Sequence, residues 1–204
     1  MAKSFAVLVA AMAFTLAVPD ARADQTIVFL RHGEKPKLGL GQLDCQGLNR
    51  ALALPQVLQA KFGKPAAIYA PDPGSMAKDK GIEYNYVRPL ATIEPTAIRL
   101  GMPVNTMFGL TQIKQLEQDL LQPSNSSATI YVAWEHNLAQ RAAQQLVATA
   151  DGDAKQVPQW ADNDFDSLYV VRLKWQNGKP AFVSFEKEAE GLNHLSAECP
   201  DARR

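Results

Sequence analysis

Thr26-Ile27-Val28-Phe29-Leu30 runs straight into Arg31-His32-Gly33-Glu34. The first part is a short apolar, β-branched run, which reads as a buried central strand. The second part is polar and begins where that strand should end. The pattern recurs once. Ala128-Thr129-Ile130-Tyr131-Val132-Ala133-Trp134 stops at Glu135-His136-Asn137. Two histidines therefore follow the carboxyl ends of two buried strands, the edge at which open α/β sheets bind ligands. The arginine beside His32 makes an anion the expected ligand.

The elements around these strands follow from periodicity. Between Asp44 and Phe62, Leu48, Leu52, Leu58 and Phe62 recur at helical spacing; Pro55 is expected to kink or split that helix. Residues 66–70 read as a second short strand. Residues 71–81, rich in Pro, Gly and charge, read as an exposed mobile loop beside the site. A helix is expected over 88–100, a strand over 104–108, and an amphipathic helix over 111–121 capped by Thr111. After a linker at 123–127 and the strand 128–134, a helix is expected over 137–150. Residues 167–175 and 179–185 alternate around Gln176-Asn177-Gly178, a strong hairpin signal, and 186–204 read as a polar tail. The order implies an α/β fold: a three-layer α/β/α sandwich with a mostly parallel sheet and a C-terminal antiparallel hairpin at one edge.

The first 23 residues read as a signal peptide. Lys3 gives a basic start, Phe5 to Val18 is almost wholly apolar, and Ala21-Arg22-Ala23 fits the cleavage pattern. That leaves 24–204 as a single domain, expected to be periplasmic or secreted. Charge is balanced over the chain, so no basic face points to nucleic acid. No later stretch is long and apolar enough for stable membrane insertion. In an oxidising compartment the two cysteines, Cys45 and Cys199, read as a disulfide, with two free thiols as the alternative. The sequence leaves the oligomeric state open.

Arg31, His32, Arg88, Glu135 and His136 carry the chemistry. A neutral imidazole is a nucleophile that can be phosphorylated at nitrogen. Arginines bind the non-bridging oxygens and stabilise the transferring phosphoryl group. A second histidine adds a donor, and a carboxylic acid can protonate the leaving oxygen. Such a mechanism requires no metal and no cofactor.

This constellation resembles the histidine phosphatase superfamily, also called phosphoglycerate-mutase-like. Its hallmark Arg-His-Gly is Arg31-His32-Gly33 here. Leu43, Gly47 and Arg50-Ala51 match the pattern of its following helix. Arg88-Pro89-Leu90-Ala91-Thr92 through Thr96-Ala97 is similar to its second-arginine segment, and His136 matches its second histidine. The resemblance spans roughly residues 25–150. It implies His32 as the phosphorylated nucleophile and Arg31, Arg88 and His136 as phosphate ligands.

The chain also departs from the family. Lys35-Pro36-Lys37 stands where an asparagine is common, and Lys35 offers a point charge instead. Residues 72–87 form an insertion in the position of a lid. The proton donor is open between Glu135, which is preferred, Glu94, and neither. Asn137 stands where one branch has an aspartate.

The remaining candidates have plainer readings. Arg50 reads as a helix-surface residue or an ion-pair partner. Asp162, Asp164 and Asp166 read as caps and turns, with a carboxylate orienting a site histidine as the alternative. Trp134 and Trp175 read as packing residues and His194 as solvated.

The leading expectation is an exported, metal-independent phosphomonoesterase acting on a small phosphorylated substrate through phosphohistidine at His32. The competing readings are a metal site of His32, Glu34, Glu135 and His136, and a phosphate- or phospholigand-binding module of the same fold that lacks catalysis.

Overall fold

Residues 24–200 are described by a computed structural model. The leader read at 1–23 lies outside the described residues. The first strand, β1 (Gln25–Arg31), occupies the middle of a five-stranded sheet. Chain order adds α1 (Cys45–Phe62), β2 (Ala67–Tyr69), β3 (Met76–Asp79), β4 (Ile82–Asn85), α2 (Arg88–Leu100), α3 (Ile113–Leu120), β5 (Thr129–Trp134), α4 (His136–Thr149), β6 (Ser167–Gln176) and β7 (Lys179–Ala189). The sheet order is β2-β5-β1-β6-β7. β2 and β1 lie parallel to β5, whereas β6 and β7 complete one edge antiparallel.

Strand alternation divides the core into two layers. Ile27 and Phe29 of β1 and Ile130, Val132 and Trp134 of β5 face Leu116 and Leu120 of α3 and Leu146 of α4. Val28, Leu30, Tyr131 and Ala133 face the other way, against Leu54 and Leu58 of α1 and Ile93 and Ala97 of α2. Both faces are covered, which is why these strands read as continuous apolar runs. Each fully buried large aliphatic side chain contributes about 1.5–3 kcal/mol. The turn of the β6–β7 hairpin puts Asn177 at φ 52° and Gly178 at φ 75°. That is the left-handed pair a two-residue turn of this twist requires.

Several local expectations are corrected. Pro55 neither splits nor ends α1, which runs unbroken with Leu54, Pro55 and Leu58 buried; packing outweighs the missing donor. The strand expected over 104–108 reduces to one bridge, Tyr69 to Asn105. α3 begins after Gln112, not at a Thr111 cap, and has no side-chain cap. The supposed tail continues β7 to Ala189. The stretch read as a mobile loop contains β3, which pairs antiparallel with β4 just beyond it.

The C-terminal segment is fastened to the start of α1. Cys45 and Cys199 form a disulfide across 154 residues, with Cα atoms 4.6 Å apart. Asn49 Nδ2 donates to the carbonyls of Ser196 and Glu198 at 2.9 and 2.7 Å. Arg50 is fully buried, so the surface reading fails and the ion-pair reading holds. Its guanidinium reaches Glu34 (2.6 Å), Glu190 (2.6 Å), Asp166 (3.0 Å) and Asn193 (3.0 Å).

Candidate active site

β1 and β5 end in register, Arg31 beside Trp134. The next residues therefore emerge side by side at the carboxyl edge. His32 N–H donates to the Trp134 carbonyl at 3.2 Å. Beyond it the chain turns under α1, and Gly33 and Gly47 let the two backbones meet. A Cβ on Gly33 would lie 2.9 Å from Gly47 Cα. Gly33 N–H donates to Thr92 Oγ1 at 2.9 Å, and that hydroxyl donates to the Arg88 carbonyl at 2.8 Å. The first turn of α2, which begins at Arg88, is thereby joined to the loop carrying His32.

On the other side Glu135 ends the strand and caps α4, accepting from Leu138 N–H at 3.0 Å. His136 is the first residue of that helix. A helix N-terminus carries partial positive charge and exposed N–H groups, which favours an anion there.

Arg31, His32, Lys35, Arg88, Glu135 and His136 line one cavity of about 310 Å³. Its outer wall is supplied by Ala77, Lys78, Asp79 and Tyr86 from the hairpin and the residues after it. The 72–87 insertion thus forms part of the wall. Glu94, by contrast, is an exposed residue of α2 outside this lining. Glu34 turns its carboxylate onto Arg50, so the metal quartet of His32, Glu34, Glu135 and His136 does not converge.

His32 is 2% exposed. Its Nδ1 lies 2.8 Å from the Gly33 carbonyl. A carbonyl can only accept, so Nδ1 carries the proton and Nε2 holds the lone pair. Burial drives the ring pKa down to about 3, with the charges of Arg88 and Arg31 adding to the effect. The ring meets Tyr86 edge-on at 5.9 Å and a tilted Phe165 at 6.2 Å.

Arg31 is anchored through Nη1 to the carbonyls of Asp162 and Asp164, at 2.7 and 3.0 Å, and lies 3.9 Å over the Phe165 ring. Arg88 is anchored through Nη1 to Asp79 Oδ2 at 2.6 Å and lies 4.7 Å over Tyr86. In both arginines Nε is buried and has no hydrogen-bond partner among the described residues. Two unpartnered cationic donors at one cavity are costly unless an anion completes them.

His136 sits between two carboxylates. Asp162 Oδ1 is 2.9 Å from Nε2, and Asp162 is almost fully exposed. Glu135 Oε1 is 2.6 Å from Nδ1. Burial acts to raise the Glu135 pKa, but His136 and the N–H groups of Asn137 and Leu138 outweigh it and hold the carboxyl at about 2.

Asp79, Tyr86 and Phe165 are not singled out by the sequence, and Thr92 only as part of the second-arginine segment. Tyr86, two residues before Arg88, offered the nearest signal. Asp79 offered none, because its role depends on a hairpin that the local composition concealed. Of the remaining candidates, Trp134 is core and His194 is exposed. Asp164 and Asp166 serve turns, and Asp164 Oδ1 accepts from Asp166 N–H at 3.1 Å and Ser167 N–H at 3.0 Å. No group of potential metal ligands is assembled among the described residues, and no described helix is long and apolar enough to cross a membrane.

No family model matches the chain, and no curated protein matches it. Solved structures match in fold. A SixA protein of Nakamurella multipartitia gives a TM-score of 0.55 at 14% identity, over 79% of this chain and 95% of that one. The protein histidine phosphatase SixA complexed with tungstate gives 0.55 at 14% identity, over 81% and 97%. A mycobacterial glucosyl-3-phosphoglycerate phosphatase complexed with VO3 gives 0.50 at 13% identity, over 81% and 98%. The likeness is one of fold: the α/β architecture is shared with solved structures of histidine phosphatases.

Proposed function

We propose that this protein is an exported phosphomonoesterase that hydrolyses a small phosphorylated substrate through a phosphohistidine at His32. The observation that carries this reading is the state of His32. Its ring is neutral, fixed at Nδ1, and flanked by two arginines with buried, unpartnered Nε groups. The likeness in fold to phosphatases bound to tungstate and to VO3 supports it.

In the first step His32 Nε2 attacks phosphorus, the P–N bond forms and the bond to the leaving group breaks. Arg31, Arg88 and His136 take the charge of the non-bridging oxygens. His136 reaches the anion when the exposed Asp162 gives way. In the second step water attacks the phosphoenzyme, the P–N bond breaks, and phosphate leaves with the neutral imidazole restored. Neither step uses a metal.

Glu135 is the group assigned to proton transfer. With its carboxyl held near 2, it meets substrate as a carboxylate and suits taking a proton from the attacking water. In the first step a proton on the leaving atom comes from the substrate itself. Substrates with good leaving groups are therefore favoured, among them aryl phosphates and phosphoramidates whose leaving nitrogen is already protonated. Export rests on the leader sequence and is supported by the Cys45–Cys199 bridge.

The test is phosphate release from an aryl phosphate in the presence of chelator. His32→Ala should abolish turnover and remove an acid-labile phosphoenzyme. Full activity in that variant refutes the mechanism. Loss with chelator and recovery with zinc would support the metal reading, and oxyanion binding without turnover of any ester would support the binding module.

A further inference from the structure

Both site arginines are held by one end only. Arg31 is held by backbone carbonyls, and Arg88 by the side chain of Asp79. In each case Nη1 is engaged and Nε is left without a partner among the described residues. The same problem, fixing a guanidinium while keeping an edge free, is thus solved twice by different means.

Asp79 is the last residue of β3 and is 6% exposed. Its second oxygen, Oδ1, accepts from Lys35 Nζ at 3.1 Å. One carboxylate on the inserted hairpin therefore holds two cations that line the cavity. Room for it is reserved in the loop before α1. Gly39 has φ +84°, and a Cβ there would lie 2.6 and 2.7 Å from the two Asp79 oxygens. Burial acts to raise the Asp79 pKa, but Lys35 and Arg88 outweigh it and keep the group ionised.

A carboxylate inside an anion site has two opposite possible effects. As a competitor, it would occupy the cations that the substrate needs. As an anchor, it would fix their direction. The observations favour the anchor. Asp79 touches Arg88 only at Nη1, while the guanidinium is also fixed over the Tyr86 ring, so its other N–H groups make no hydrogen bond among the described residues and Asp79 does not use them up.

We propose that Asp79 is a positioning residue of the phosphoryl site: it orients Arg88 and draws in Lys35, making the β3–β4 hairpin a working part of that site. The proposal rests on the phosphoryl chemistry assigned above.

Tungstate binding to the purified protein, measured by calorimetry, tests it without requiring turnover. Asp79→Ala should weaken binding about tenfold to a hundredfold, the range of a charge-assisted hydrogen bond. Asp79→Asn, which keeps the shape and one acceptor, should fall between that variant and the wild type. In an Arg88→Ala/Lys35→Ala background, Asp79→Ala should change affinity less than twofold, because the groups it positions are gone. Circular dichroism checks that each variant is folded. Tighter or unchanged binding in Asp79→Ala overturns the proposal, since a competitor would behave that way. A full additional loss in the double background also overturns it, since that would mark a general role in folding. Failure of the proposed function looks different. A wild type that binds tungstate with this dependence on Asp79 but frees no phosphate from any ester refutes hydrolysis and leaves the positioning role standing.

Discussion

Replacing Arg50 by Met should destabilise the protein severely, and by an amount that grows with pH. The side chain is fully buried and touches Glu34, Asp166, Glu190 and Asn193 at 2.6–3.0 Å. Methionine keeps much of the volume and none of the charge, so the carboxylates lose their shared cation. Removing one partner of a buried ion pair costs about 3–5 kcal/mol. For a chain of this size each kcal/mol shifts Tm by roughly 2–4 °C, so a fall of about 6–20 °C is expected. The pH dependence comes from Glu190. Burial pushes its carboxyl up to about 8, against the pull of Arg50. A folded-state pKa above the unfolded value means that folding retains a proton. That contribution is complete below the ordinary glutamate range and is lost as pH rises through about 8. Without Arg50 the opposing pull disappears and the carboxyl titrates higher still. The deficit between variant and wild type should therefore be smaller at pH 5.5, where Glu190 is protonated in both, and larger at pH 8.5. Thermal unfolding at the two pH values measures it. Equal deficits, or a fall below 3 °C at pH 8.5, would refute the reasoning.

Other expectations are more direct. Cys45→Ser should destabilise by about 2–4 kcal/mol, with an entropic ceiling of roughly 5 kcal/mol for so long a closed loop; two titratable thiols in the denatured, unreduced wild type would contradict the bridge. Gly47→Ala places a Cβ 2.8 Å from Glu34 N, so α1 must move off the His32 loop. Turnover should drop at least tenfold while helix content is retained, at a stability cost of about 1–3 kcal/mol; wild-type kinetics would show that this close approach is not needed. The His32 ring should not titrate by NMR between pH 8 and 4, because its folded pKa is lowered to about 3. An unfolded chain takes up that proton near 6.5, so this group also removes stability as pH falls below that value; a midpoint near 6.5 would refute the assignment.

The parts of the site legible in sequence lie where one strand stops. Arg31-His32 and Glu135-His136 announce themselves because a buried strand is uniformly apolar and any polar residue after it marks the sheet edge. Asn177-Gly178 is legible for a similarly local reason, since few residues tolerate two successive left-handed conformations. Asp79 is different. Its strand is four residues of mixed polarity paired with another four, a pattern that alternation cannot separate from a charged loop. The carbonyls that hold Arg31 come from residues about 130 positions away, and a carbonyl has no sequence signature. Glu94 looked suitable by proximity to Arg88, but helix periodicity turns it outward. Arg50 lies in a sequence suited to a helix surface, and only the later return of Asp166 and Glu190 makes its site an interior.

The central position of β1 sets the order in which this fold can assemble. Synthesis delivers β1 first, yet Thr26 pairs with Thr129 on one side and Arg172 on the other. The middle of the sheet must therefore remain unpaired until most of the chain has emerged. Contacts of such long sequence separation make for slow folding and leave an apolar strand open to aggregation in the interval. Covalent closure comes later still, because Cys199 follows Cys45 by 154 residues and lies beyond every strand of the sheet. With only two cysteines in the chain, oxidation has a single intramolecular product. Reshuffling between alternative bridges therefore cannot arise among these residues, and the Cys45–Cys199 bond needs only to form, not to be selected.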